Sequence, residues 1–155
     1  MLEINQTAPD FTTTNQDDKT VSLSQFKGAH NVVLYFYPKD DTPGCTVEAN
    51  EFTALVAEFA AADTVVLGVS KDSCAKHAKF IAKHDLKVEL LADTSGEVCE
   101  SYGVWGERQF MGKTYMGIAR STFVIDKKGV LVEVNYKVKA KGHAQQMLDL
   151  VLALD

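Results

Sequence analysis

The run His30-Asn31-Val32-Val33-Leu34-Tyr35-Phe36-Tyr37 is apolar, β-branched and aromatic, and it stops at Pro38. Its length and content predict a buried strand. A polar stretch, Lys39-Asp40-Asp41-Thr42, then leads through Pro43 and Gly44 into a segment where Phe52, Leu55, Val56 and Phe59 recur at helical spacing. A second strand is predicted at Thr64-Val65-Val66-Leu67-Gly68-Val69-Ser70. Two buried strands joined through a helix run parallel, with a right-handed crossover. The turns that follow them then share the carboxyl edge of the sheet, where open α/β sheets bind their ligands.

Cys45 lies where the first strand hands over to the first turn of the helix. Free N–H groups and the helix dipole favour an anion there, and so favour thiolate. Thr42 can set a hydroxyl beside the sulfur, Pro43 restricts the turn, and Gly44 allows a close approach to the backbone. A thiolate wrapped in donors attacks electrophiles, and a peroxide is small enough to enter such a pocket. Taken alone, the same cysteine also reads as a small buried core residue.

The 155 residues are 46% hydrophobic and 24% charged, an ordinary balance for one domain spanning 1–155 with a real core. The net charge of -5 disfavours nucleic acid and anionic membranes as partners. No apolar stretch approaches a membrane span. The segment Met1–Gln6 lacks the basic and apolar regions of a secretory signal, so a cytoplasmic location is expected. Cys45, Cys74 and Cys99 are too few and too spread for a disulfide framework, and without Cys-x-x-Cys there is no zinc ribbon or two-cysteine thioredoxin site. His30, His77, His84 and His143 have no metal-like company and read as surface or packing residues.

Elsewhere, residues 7–14 read as a short entering strand and 15–19 as a polar turn, with Val21, Leu23 and Phe26 as apolar anchors. After the second strand, Asp72 or Ser73 caps a helix with Phe80 and Ile81 on its apolar side, and Cys74 starts that helix on the same edge as Cys45. Residues 88–91 form a strand, 97–102 a short helix, 103–117 a glycine-punctuated loop and hairpin edge, and 118–126 with 130–138 a strand pair. The last helix, 143–154, turns Met147, Leu150, Val151 and Leu154 inward. The order predicts an α/β, thioredoxin-like fold with a central mixed sheet flanked by helices.

Pro38-x-x-x-Thr42-x-x-Cys45 resembles the peroxiredoxin active-site motif. Tyr35-Phe36-Tyr37-Pro38 and Thr42-Pro43-Gly44-Cys45-Thr46-x-Glu48 are similar to the peroxiredoxin Q branch, also called bacterioferritin comigratory protein. The resemblance continues through Ala8-Pro9-Asp10-Phe11, Leu23–Gly28 and the two runs between Gly103 and Gly117. It implies a thiol peroxidase without metal, haem or flavin. Cys45 would attack hydrogen peroxide or an alkyl hydroperoxide and become a sulfenic acid, and a thioredoxin-like thiol donor would regenerate it. It also implies a monomer.

By the same resemblance, Pro38 and Thr42 belong to the motif, and Arg120 faces the sulfur and grips a peroxide oxygen. On its own Arg120 reads as a surface ion-pair residue. Gly44 and Glu48 are supporting residues: Glu48 either stabilises the helix N-terminus or orients Arg120 by an ion pair. The Trp105–Met116 region is placed around the pocket mouth. The chain departs from the branch where a resolving cysteine is found, at Asn50 and at Ile81. Cys74 either resolves Cys45 after local unwinding or is an inert thiol, in which case an external thiol must act. Cys99 reads as structural. Rival readings are a thiol-based redox sensor, a thiol–disulfide oxidoreductase and a non-catalytic binding module.

Overall fold

The computed structural model describes residues 1–154; Asp155, the last residue of the expected domain, lies outside the described residues. In chain order the elements are β1 (Thr12–Asn15), β2 (Thr20–Ser22), a 3-10 turn (Leu23–Phe26), β3 (Asn31–Phe36), α1 (Pro43–Ala54), α2 (Val56–Ala61), β4 (Thr64–Ser70), α3 (Cys74–His84), β5 (Glu89–Ala92) and α4 (Glu97–Ser101). They continue with β6 (Trp105–Phe110), β7 (Lys113–Ile118), β8 (Ser121–Ile125), β9 (Leu131–Asn135) and α5 (His143–Leu152).

Seven strands form one mixed sheet in the order β2-β1-β5-β4-β3-β8-β9. β3, β4 and β5 are parallel, as two crossovers require, while β8 and β1 join them antiparallel on either side. Every residue of β3 is buried, because both faces of the sheet are covered. Alternation sends Val33, Tyr35 and Tyr37 toward a layer holding Cys45, Phe52, Phe59, Phe80 and Met147 of the helices. Val32, Leu34 and Phe36 face the opposite cluster, with Phe11, Leu23, Tyr102 and Ile118. The carboxyl edge of the sheet is thus anchored by two strands buried throughout, β3 and β8.

Several boundaries differ from expectation for local reasons. The entering strand is only Thr12–Asn15; before it, Thr7 bridges Val130 and Ala8 N–H bonds to Gly129 O, so residues 7–8 follow the tip of β8–β9, while Pro9 O accepts from the Tyr102 hydroxyl and Phe11 O from Leu23 N–H. The helix expected to run through Phe59 breaks at Leu55, whose N–H reaches Phe52 O in a tightened turn. The apolar spacing survives the break, since Phe52 and Phe59 are both fully buried. Ser73, not Asp72, caps α3 by accepting from Lys76 N–H at 3.2 Å. In α5 it is Leu148 that joins Met147 and Val151 inside, with Leu150 and Leu154 only partly covered. His77 and His143 are buried packing residues.

Candidate active site

Beyond β3 the chain turns at Asp41, whose φ of 61° is left-handed, and Thr42 then enters α1 in an extended conformation. Pro43 is the first helical residue, where its missing N–H costs nothing. Cys45 is therefore the third residue of α1, 2% exposed. The amides of Gly44 and Cys45 belong to the first turn, which has no intrahelical acceptors for them.

Arg120 comes from the turn between β7 and β8 and meets this helix end. Its Nη2 donates to Cys45 Sγ at 3.4 Å, and its Nη1 donates to Glu48 Oε1 at 2.6 Å. One planar fork thus spans the thiol and a carboxylate one helical turn away. The approach is close enough to explain Gly44: a Cβ there would stand 3.1 Å from Arg120 Nη2. Burial works against the Arg120 cation, but Glu48 and Cys45 outweigh it and hold its pKa above the ordinary value. Glu48 is fully buried, and its Oε2 has no hydrogen-bond partner among the described residues. Burial pushes its carboxyl up to about 7, against the opposing pull of Arg120. The ion pair is complete only when Glu48 is ionised, toward the alkaline side of neutral.

The remaining expected residues fall as follows. Thr42 is at the N-cap position, but its hydroxyl donates to Lys39 O at 2.8 Å and neither caps the helix nor bonds to the sulfur. Pro38 is exposed and lines a groove of about 450 Å³ with Lys71 and with Trp105, Tyr115 and Met116 of the β6–β7 hairpin. Lys71 Nζ stands 3.9 Å over the Trp105 ring. Cys74 is half-buried at the head of α3, with Sγ 3.1 Å from Thr14 Oγ1. Cys74 is thus held against β1, which is three places from β3 in the sheet, and its thiol and that of Cys45 are both free. The structure does not bring these two cysteines together. Cys99 is fully buried, and burial followed by Asp93 pushes its thiol far up.

Sequence reasoning missed the residues that hold the loop before Cys45. Tyr37 OH donates to Asp40 Oδ1 at 2.5 Å, and His77 Nδ1 lies 2.7 Å from Asp40 Oδ2. His77 Nε2 meets Leu91 O at 2.9 Å, and Asp40 N–H donates to Asp72 Oδ2 at 2.8 Å. The one available signal was that His77 shares the inward face of its helix with Phe80.

Residues 4–134 match the sequence model of the AhpC/TSA family. The peroxiredoxin Bcp of Bacillus subtilis (strain 168) is 48% identical over 147 residues, covering 95% of this chain and 93% of that one. The chain belongs to the AhpC/TSA family, among its Bcp peroxiredoxins. Solved peroxiredoxins of the same branch superpose on it: a mutant PrxQ of Xylella fastidiosa with a TM-score of 0.92 at 33% identity, covering 99% of this chain and 97% of that one. The bacterioferritin comigratory protein of Xanthomonas campestris gives a TM-score of 0.88 at 37% identity, again covering 99% and 97%. The peroxiredoxin therefore has the thioredoxin-like α/β fold expected of it, and it is a thiol-dependent peroxidase, an oxidoreductase that consumes peroxide and a thiol reductant.

Proposed function

We propose that Cys45 is the nucleophile of this peroxidase, with Arg120, Thr42, Pro38, Gly44 and Glu48 forming its pocket. The observation that carries the proposal is the Arg120 fork, which donates to Cys45 Sγ at 3.4 Å while anchored on Glu48. Cys45 thiolate attacks the terminal oxygen of the peroxide; the S–O bond forms as the O–O bond breaks, and the leaving oxygen takes a proton to depart as water or alcohol. Charge spreads along the breaking bond, where Arg120 and the Gly44 and Cys45 amides can donate. The Thr42 hydroxyl can turn from Lys39 O toward a bound peroxide, and Pro38 shapes the wall. The substrates are hydrogen peroxide and alkyl hydroperoxides; the Xanthomonas relative is described by its alkyl peroxide reduction.

The sulfenic acid condenses either with Cys74, releasing water, or with an external thiol, and thioredoxin or a similar reductant returns Cys45 to the thiol. The protein works as a one-domain monomer in the cytoplasm, without nucleic acid or membrane partners. No helix among the described residues is long and apolar enough to cross a membrane, and the net charge is -5.

Thiol counting with intact mass, on reduced protein given one equivalent of hydrogen peroxide, tests the assignment. A fall from three free thiols to one without an adduct gives a disulfide, and peptide mapping names its partner. A fall to two with a trappable sulfenic acid gives an enzyme resolved from outside. Rapid peroxide consumption by Cys45→Ser overturns the assignment of Cys45.

A further inference from the structure

We infer that His77 is a positioning residue: its bond to Asp40 latches the loop before Cys45 to the head of α3, and so governs how oxidised Cys45 divides between a disulfide with Cys74 and further oxidation. The inference rests on Cys45 as the nucleophile. It starts from a histidine with no exposed surface and both ring nitrogens committed, Nδ1 to Asp40 at 2.7 Å and Nε2 to Leu91 O at 2.9 Å. A carbonyl only accepts, so Nε2 carries a hydrogen. Asp40 in turn takes the Tyr37 hydroxyl on its other oxygen, and its amide is held by Asp72, which also binds the Ser70 hydroxyl at 2.7 Å. Asp40 is thus tied to the start of α3 through its backbone and through its carboxylate. None of these groups hydrogen-bonds to Cys45 or Arg120.

Cys74 lies between the two fastenings, Asp72 and His77. A disulfide needs Cα atoms within about 7 Å, whereas Cys74 Sγ is held against Thr14 of β1, three places from β3 in the sheet, and Cys45 Sγ against Arg120. The two cysteines can meet only if the head of α3 leaves the loop, and that movement parts His77 from Asp40. With the latch closed, Cys45 stays under Arg120, facing peroxide but not Cys74. A sulfenate held there takes one oxygen from a second peroxide, giving sulfinic acid and water or alcohol. With the latch open, the sulfenic sulfur accepts the Cys74 thiolate and hydroxide leaves, collecting the thiol's proton as water. The strength of the latch sets the ratio of the two products.

The test uses the reduced full chain, hydrogen peroxide over a range of excess, no reductant, and intact mass after acid quench. His77→Asn and Asp40→Asn are compared with the native protein, Asp40→Asn carrying the test if His77→Asn does not fold. Both are expected to raise the peroxide excess that gives half sulfinic acid by about tenfold, the equivalent of one charge-assisted hydrogen bond of ordinary strength. In a Cys74→Ser background the same substitutions should leave the sulfinic yield unchanged. A purely structural role would lower Tm without moving the ratio, so an unchanged half-point in folded Asp40→Asn overturns the latch. An equal shift in the Cys74→Ser background also overturns it. If native protein oxidises Cys45 yet never pairs it with Cys74, the latch fails and the peroxidase assignment stands. If Cys45 is not oxidised at all, the assignment itself fails, and the latch with it.

Discussion

At Arg120 charge and geometry can be separated. Lysine keeps the charge but offers a single ammonium that cannot donate to both Cys45 Sγ and Glu48 Oε1, which the guanidinium reaches at 3.4 and 2.6 Å. Arg120→Lys is expected to slow oxidation of Cys45 by about 10²-fold, the usual loss for one preorganised donor, with the protein still folded. Stopped-flow mixing with hydrogen peroxide reads this directly, and a rate within threefold of native would show that charge alone suffices. Gly44→Ala tests the same fork from the other side. The added methyl carbon would stand 3.1 Å from Nη2, so the guanidinium must give by a few tenths of an ångström. A loss of about tenfold in the same rate is expected, with little change in Tm. Cys45, Arg120 and Glu48 were picked out in the sequence by the resemblance, since each also has an ordinary reading on its own. His77 and Asp40 were not. A histidine in a helix and an aspartate in a polar turn look ordinary until the fold closes one upon the other.

Between elements, α1 and α5 carry two buried titratable groups of opposite sign. Glu48 of α1 is pushed up to about 7, so from its ordinary value of 4.5 to that pH the folded state binds the extra proton. Stability from this group therefore falls as pH rises through that window. His143 of α5 lies 2.8 Å from Thr122 Oγ1 and is lowered by burial to about 4 from 6.5. In its window the unfolded state binds the extra proton, so its contribution is present above 6.5 and lost as pH falls. Between 4.5 and 6.5 the two slopes oppose. Chemical denaturation across this range should give a nearly flat native profile. Glu48→Gln should gain stability with rising pH and His143→Asn should lose it, each by on the order of 2 kcal/mol. Parallel profiles for all three proteins would contradict the assignment. The helices themselves were legible from their apolar spacing. The break at Leu55 was not, because Phe52 and Phe59 keep their period across it and periodicity does not register a change of axis.

For the whole molecule, the sheet ends in short edges. β2 has three residues and β9 five, and the lysines 137, 139 and 141 follow β9. Such edges, with a net charge of -5, resist strand-to-strand association. Against them stands the β6–β7 hairpin, which among the described residues forms a two-stranded sheet of its own and leaves Phe110 66% and Met111 86% exposed. Sedimentation equilibrium is expected to give 17.0 kDa at every loading concentration. A rise toward twice that mass, abolished by Phe110→Ser, would identify the hairpin as an interface. The parallel centre of the sheet was readable from two apolar runs. The separateness of the hairpin was not, because glycine-rich alternation marks a turn of strand without saying what it pairs with.

Cys99 has one further consequence. Its residue is fully enclosed, and its amide is tied to Asp93 at 2.8 Å. A folded molecule therefore withholds that sulfur from any dye in water, whatever has happened to the other two of its three cysteines. In a Cys45→Ser, Cys74→Ser background, labelling the same sample before and after denaturation therefore differs by one dye per folded chain, which gives each preparation its own internal count of native molecules.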